Sequence, residues 1–137
     1  LEIGWLPLLL DKARNPRIKP GAEGDMDCSS VVEHILDVPS GNVDRAMGDI
    51  HAMGNPHYTL NPENAVLIAY EMAYRMGQLD ASNRDAYQAR ADAFADEVTA
   101  RLPGWMKQME NARTKSVIIY HSHWNYFTEW QGLNVVG

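Results

Sequence analysis

The chain has 137 residues, of which 45% are hydrophobic and 22% are charged, and it carries four Trp and six Tyr. This composition is sufficient for a hydrophobic core. The formal net charge of -6 argues against a nucleic-acid partner, since phosphate binding needs basic patches. No apolar run approaches the roughly 20 residues of a membrane span. The single cysteine, Cys28, has no internal disulfide partner, and we expect it to be a small buried apolar side chain.

The amino-terminal segment Leu1 to Arg14 has the apolar spacing of an amphipathic helix. The residues on its apolar side are Ile3, Leu6, Leu9 and Leu10. A loop rich in Pro and Gly follows, from Asn15 to Asp25. Because the chain starts within this helix pattern and ends where a strand pattern begins, we expect it to be an internal part of a longer protein.

Two helices are predicted in the middle of the chain. Asn61, Pro62 and Glu63 form a strong start signal for the first, which should run to about Leu79. Its buried stripe is predicted to contain Val66, Ala69, Tyr70, Ala73 and Met76.

Ser82 is predicted to cap the second helix, with Asp85 in the place of the acidic partner. This helix should be about 40 Å long, with a kink or a restart at Pro103. Its apolar face is predicted to comprise Tyr87, Ala91, Phe94, Val98, Leu102, Trp105 and Met109.

The carboxyl-terminal part alternates between strand and helix patterns. Lys115 to Tyr120 is predicted to be a buried strand, Trp124 to Gln131 a short helix that stops at Gly132, and Leu133 to Val136 the start of another strand. This order indicates a parallel α/β arrangement.

The chain has five histidines, and none of them belongs to an HExxH motif. His121 ends a predicted strand, where ligands bind in open α/β sheets. His57 follows a stiff Gly-Asn-Pro turn. Neutral imidazole binds zinc well and manganese adequately, so both residues are candidate ligands, although a strand end and a tight turn would also explain them. His51 and His123 are weaker candidates, and His34 is predicted to be structural.

Two stretches, "GNPHYTLNP" and "YHSHWNYF", together resemble the metal-binding receptors of ABC transporters for zinc and manganese. His57 falls on the histidine of the family pattern G-N/D-P-H-x-x-L-D-P. His121 falls on the histidine of H-x-x-aromatic-x-Tyr, with Trp124 and Tyr126 in the aromatic places. His51 matches a form seen in part of the family, whereas His123 falls on a variable position. Asn61 stands where Asp is usual.

The resemblance covers essentially the whole chain and implies a fold and a set of boundaries. The expected fold is the α/β two-lobed periplasmic metal-receptor fold, with parallel sheets flanked by helices and a long helix joining the lobes, incomplete in this chain. Residues 1–81 would be part of the amino-terminal lobe with the metal loop, residues 82–112 the linking helix and residues 113–137 the start of the carboxyl-terminal lobe.

The function implied by the resemblance is capture of a divalent metal ion, zinc rather than manganese, and its delivery to a membrane permease. The metal ligands carried over are His57 and His121, with His51 at or near the site. Another histidine and a carboxylate would come from outside this chain. The protein would be periplasmic or otherwise extracytoplasmic, with or without a lipid anchor, and it would be monomeric and not an enzyme.

Two alternatives come from other functional classes. A zinc-dependent hydrolase would need an acid beside the metal, and Glu33 and Glu129 are available for that role. An adhesin or structural module of the same fold would bind a surface without depending on His57.

Overall fold

The computed structural model describes residues 5–41, 51 and 53–137. This part of the chain is mainly helical, with a small two-stranded parallel sheet. The α-helices and strands are, in chain order, α1 (Leu6–Lys12), α2 (Pro62–Leu79), α3 (Arg84–Gln108), β1 (Ser116–Val117), α4 (Asn125–Gln131) and β2 (Asn134–Val135).

The start of α2 agrees with the sequence prediction. The Asn61 side-chain oxygen accepts a hydrogen bond from the Glu63 N–H at 3.0 Å, and Pro62 occupies the first helical position. The buried side of the helix differs from the predicted stripe, of which only Ala73 is fully buried. The buried residues are Asn64, Ile68, Ala73 and Gly77.

The end of α2 packs closely against the start of α3. A Cβ atom at Gly77 would lie 2.9 Å from Arg84 Cγ, so a larger residue there would force the Arg84 side chain to shift. The larger side chains of Tyr70 and Met76 remain partly exposed on the flank of α2, at 37% and 42%. The predicted burial of these two residues was therefore wrong.

Helix α3 is the long helix that the sequence predicts, with 25 residues. It continues through Pro103, so the predicted restart does not occur. Ala91, Ala95 and Val98 are its buried residues, and Phe94 is 41% exposed. The buried side of α3 therefore consists of small side chains. The predicted burial of Ala91 and Val98 is confirmed, and that of Phe94 was wrong.

The predicted cap of α3 at Ser82 was wrong. Residues Ala81–Asn83 form a 3-10 turn, and α3 begins at Arg84 without a side-chain cap. The reason is the carboxylate of Asp80, which accepts hydrogen bonds from Ser82 Oγ and Asn83 Nδ2. Tyr87 donates a third hydrogen bond to the same carboxylate. These contacts, led by that of Ser82, lower the pKa of Asp80 to about 2.

The strands β1 and β2 pair in parallel, with Ser116 opposite Asn134 and Val117 opposite Val135. The parallel arrangement is as predicted, but β1 is shorter than the predicted strand. Ile118 and Tyr120 are 81% and 92% exposed, so the predicted burial of this run was wrong. In the described part of the chain the sheet has two strands, and it leaves these side chains uncovered.

The two remaining helices differ in how well they were predicted. Helix α4 ends at Gly132, which has a φ of +64°, as expected for a glycine stop. Helix α1 is shorter than predicted and has no buried residue; Leu9 is 54% exposed. Ile3 lies outside the described residues.

Cys28 is half-buried rather than fully buried, as the sequence had led us to expect.

No helix in the described part of the chain is both long enough and apolar enough to span a membrane.

Candidate metal centre

The turn that carries His57 is fixed by its backbone. Gly54 has a φ of +93°, and a Cβ atom there would collide with Ile35 Cγ2. Asn55 is only 3% exposed, and its side-chain oxygen accepts a hydrogen bond from the His57 N–H at 3.0 Å. A 3-10 turn, Tyr58–Leu60, follows and leads into the cap of α2. His57 is therefore held, half-buried, between two short turns.

His121 lies a few residues beyond β1 rather than at the last residue of the strand. Its backbone is extended, with φ -127° and ψ 151°, and it precedes the 3-10 turn Ser122–Trp124. The imidazole of His121 is exposed, whereas that of His123 within the turn is half-buried. The turn passes directly into α4, which fixes the direction of the chain after His121.

Side-chain amides join the His57 turn to the His121 turn. Asn55 Nδ2 donates to the Ser122 carbonyl oxygen at 2.6 Å and to Asp37 Oδ2 at 2.8 Å. Asn125 Nδ2 donates to the same Asp37 oxygen at 2.7 Å. Asp37 itself has a φ of +54°, a conformation that Asp tolerates better than most residues.

Tyr126 completes this connection from α4. It is 4% exposed, and its hydroxyl donates to the Asn55 carbonyl oxygen at 3.0 Å while accepting from the Leu36 N–H at 2.9 Å. Burial raises the pKa of Tyr126, so the hydroxyl keeps the proton that it donates. We call the side chains of Asp37, Asn55, Asn125 and Tyr126 the polar junction.

The imidazoles meet beside the polar junction. The ring centroids of His57 and His123 are 4.2 Å apart, and those of His121 and His123 are 5.1 Å apart. The centroid of the exposed His51 ring lies 6.2 Å from that of His57. Two segments that are distant in sequence thus contribute neighbouring imidazoles. Among the residues that the structure describes, no three His, Cys, Asp or Glu side chains are positioned to hold a metal ion.

The other histidine and the two glutamates considered from the sequence lie elsewhere. Glu33, His34 and Glu129 are exposed and line a cavity of about 600 Å³ beside α2 and α3. The carboxylate hydrogen-bonded within the polar junction is Asp37, which no sequence motif indicated. The contact that His123 makes with both other rings was also missed, because the direction of its side chain could not be predicted.

A comparison with known protein families identifies the chain. The family model described as ZnuA, zinc-uptake complex component A, periplasmic, matches residues 3–137. The chain belongs to this family. Its description as a periplasmic uptake component agrees with the expected extracytoplasmic location and with a role in transport rather than in catalysis.

Individual relatives are distant and longer. The chain is similar to the high-affinity zinc uptake system protein ZnuA of Brucella abortus strain 2308, with 24% identity over 81 residues. The match covers 59% of this chain and 24% of the relative. ZnuA of Brucella suis biovar 1 matches with the same values. The chain therefore aligns with about a quarter of the length of these relatives.

The fold is similar to that of two Zn(II)-bound mutant variants of AdcAII from Streptococcus pneumoniae. One match has a TM-score of 0.62 at 23% identity and covers 82% of this chain and 40% of that structure. The other has a TM-score of 0.61 at 23% identity, with 81% and 41% covered. This likeness establishes the fold over part of those proteins.

Proposed function

We propose that the protein captures a divalent metal ion outside the cytoplasm, zinc in preference to manganese, and delivers it to the membrane permease of an ABC transporter. The observation that carries this proposal is the meeting of imidazoles from the His57 and His121 turns. Membership of a zinc-uptake family supports zinc as the ion.

In this proposal His57 and His121 are metal ligands, and His51 lies at or near the site. Neutral imidazole is a preferred zinc ligand. The rings of His57 and His121 share His123 as a neighbour, and this proximity supports their assignment to one site. Structural zinc sites usually have four ligands, and we expect the remaining donors to come from beyond these 137 residues.

The polar junction would hold the ligands in place before the ion arrives. The Asn55 side chain touches both turns, through the His57 N–H and the Ser122 carbonyl oxygen. Partners of this kind orient metal ligands, and their loss typically lowers metal affinity by about 10- to 100-fold. Selectivity would then rest on a prebuilt site rather than on large movements of the chain.

We propose the two-lobed architecture for the complete protein, with residues 1–81 in the amino-terminal lobe and residues 113–137 at the start of the carboxyl-terminal lobe. Residues 82–112, which include the 25-residue helix α3, would join the two lobes. The site would then lie between the lobes, and the hydrogen bond from Asn55 to Ser122 would cross their boundary. The long helix would limit hinge motion, and the loaded monomer would dock on the permease.

The test is zinc affinity of the full-length protein, measured by competition with a chelating dye. We expect His57→Ala and His121→Ala each to weaken binding by at least about tenfold, or roughly 1.4 kcal/mol. His34→Ala is the matched control, because His34 lines the separate cavity. If both ligand variants bind zinc as the parent does, the proposal is wrong.

A further inference from the structure

Arg113 joins the ends of two helices. Its Nε donates to the Gln131 carbonyl oxygen at 2.8 Å, and its Nη2 donates to the Met106 carbonyl oxygen at 2.7 Å. Nη2 also donates to Gln131 Oε1 at 3.2 Å, and Gln131 is only 1% exposed. Met106 lies in the last turn of α3, and Gln131 is the last residue of α4. Carbonyl oxygens at helix C-termini lack intrahelical partners and favour a cation, so one guanidinium satisfies both helix ends.

This contact follows a pair of residues that weakens α3. Pro103 removes one backbone hydrogen bond from the helix, and Gly104 has no side chain to pack. Helices bend most readily at such positions. Beyond this pair, the Trp105 ring packs edge-on against the Trp130 ring of α4, with centroids 6.4 Å apart. The last turn of α3 is therefore held by α4 at two places.

The other end of α4 reaches the histidine turns. Asn125 donates to Asp37, and the Tyr126 hydroxyl donates to the Asn55 carbonyl oxygen. Helix α4 has seven residues, about 10 Å of helix, and it directly follows the 3-10 turn that His121 precedes. Because α2 follows the first histidine turn and packs against α3, these contacts close a ring through α2, α3 and α4.

We propose that Arg113 is a positioning residue for the metal site, which holds α4 against the end of α3 and thereby keeps the His121 turn aligned with the His57 turn. This inference rests on the proposed function. In the proposed architecture, Arg113 restrains the carboxyl-terminal lobe at the point where the linking helix enters it. Without the guanidinium, that lobe would rotate about Pro103 and Gly104. The ligands would then be aligned in only a fraction of the molecules, which lowers the apparent affinity by that fraction.

The test uses a matched pair of arginine variants in the full-length protein. Arg113→Met removes the guanidinium and keeps a flexible apolar side chain. Arg101→Met is the control, because Arg101 is an exposed residue of α3 that pairs with Glu97 of the same helix. Competition with a chelating dye would give the zinc affinity of each protein.

A second measurement reports the relative position of the helices without zinc. Spin labels would be attached at Ala89→Cys on α3 and Glu129→Cys on α4, both exposed, in a Cys28→Ser background. Pulsed electron spin resonance would then give the distribution of distances between α3 and α4. A loss of stability alone would leave this distribution in the folded protein unchanged.

We expect a narrow distance distribution in the zinc-free parent and in Arg101→Met, and a broader one in Arg113→Met that narrows when zinc is added. Zinc affinity should fall by about fivefold in Arg113→Met and stay within about twofold in Arg101→Met. The parental distance distribution or the parental zinc affinity in Arg113→Met would overturn the inference.

Failure of this inference is distinguishable from failure of the proposed function. If Arg113→Met keeps the parental distances while His57→Ala and His121→Ala lose zinc, this inference fails and the proposed function stands. If His57→Ala and His121→Ala bind zinc as the parent does, the proposed function fails and this inference fails with it.

Discussion

The pair of long helices and the pair of histidine turns are held together by different contacts. Helices α2 and α3 meet through small side chains such as Ala73, Ala91 and Ala95. The histidine turns meet through the buried amide of Asn55 and the buried hydroxyl of Tyr126. The hydrophobic effect is non-directional, whereas hydrogen bonds fix distance and direction. The helix pair is therefore held by apolar packing, whereas the hydrogen bonds of the polar junction contribute stability and also fix the geometry of the histidine turns.

The largest effect should come from Asn55→Ala. This change removes the hydrogen bonds to Asp37, Ser122 and the His57 N–H. We expect the free energy of unfolding to fall by about 3 kcal/mol, since each bond contributes about 1 kcal/mol. Zinc affinity should fall by about tenfold or more.

Chemical denaturation and dye competition on the full-length protein would measure both effects of Asn55→Ala. Asn125→Ala is the matched control, because it removes one amide from Asp37 and leaves the bond from Asn55 to Ser122 intact. If Asn55→Ala and Asn125→Ala lost zinc affinity equally, the specific role of Asn55 in joining the two histidine turns would be contradicted.

Tyr126→Phe should have the next largest effect. It deletes one hydroxyl and leaves the Leu36 N–H and the Asn55 carbonyl oxygen without this partner. We expect a loss of about 2 kcal/mol in the free energy of unfolding, together with weaker zinc binding. Chemical denaturation and dye competition on the full-length protein would measure the two effects. If Tyr126→Phe retained the zinc affinity of the parent, Tyr126 would support the fold without positioning His57.

Val98→Ala should separate stability from metal binding. Val98 is 8% exposed on α3, and truncation removes two methyl groups, which costs about 1.5 kcal/mol. Zinc affinity should remain within about twofold of the parent, far below the changes expected at the polar junction. A tenfold loss of zinc affinity in Val98→Ala would show that the packing of α2 and α3 affects metal binding as strongly as the polar junction does.

The smallest effect concerns Asp80 at the turn between α2 and α3. Its pKa is lowered to about 2 by hydrogen bonds from Ser82, Asn83 and Tyr87. A carboxylate with a lowered pKa in the folded state stabilises the fold above its ordinary pKa, and this contribution is lost as the pH falls from about 4 to about 2. Asp80→Asn should lack this part of the pH dependence.

Denaturation midpoints of the parent and of Asp80→Asn, compared between pH 5 and pH 2, would show the effect of Asp80. The difference between the two proteins should shrink as the pH falls. Ser82→Ala removes the hydrogen bond that lowers the pKa of Asp80 most. Its denaturation midpoint should lie between those of the parent and Asp80→Asn. A difference that does not vary with pH would contradict this account.

The parts of the fold that depend on local signals could be predicted from the sequence. The Asn61 cap, the glycine stop at Gly132 and the length of α3 follow from residues near each feature. The buried face of α2 could not be predicted, because the close approach at Gly77 depends on its partner helix. The cap of α3 was missed because Asp80 takes Ser82 away from the helix end.

The candidate site was predictable only where a motif marks it. His57 and His121 were found because a Gly-Asn-Pro turn, a strand pattern and the resemblance to a family point to them. Asp37 and His123 have no such signal, since their contacts join residues that are distant in sequence or depend on the direction of a side chain. Asn55 was read only as part of a stiff turn, although its amide links the two turns.

The most direct measurement is anomalous diffraction at the zinc edge from crystals of the full-length protein grown with zinc. We expect one anomalous peak about 2.0–2.1 Å from a ring nitrogen of His57 and from one of His121. A peak in the cavity lined by Glu33, His34 and Glu129 instead, with none beside His57, would contradict it.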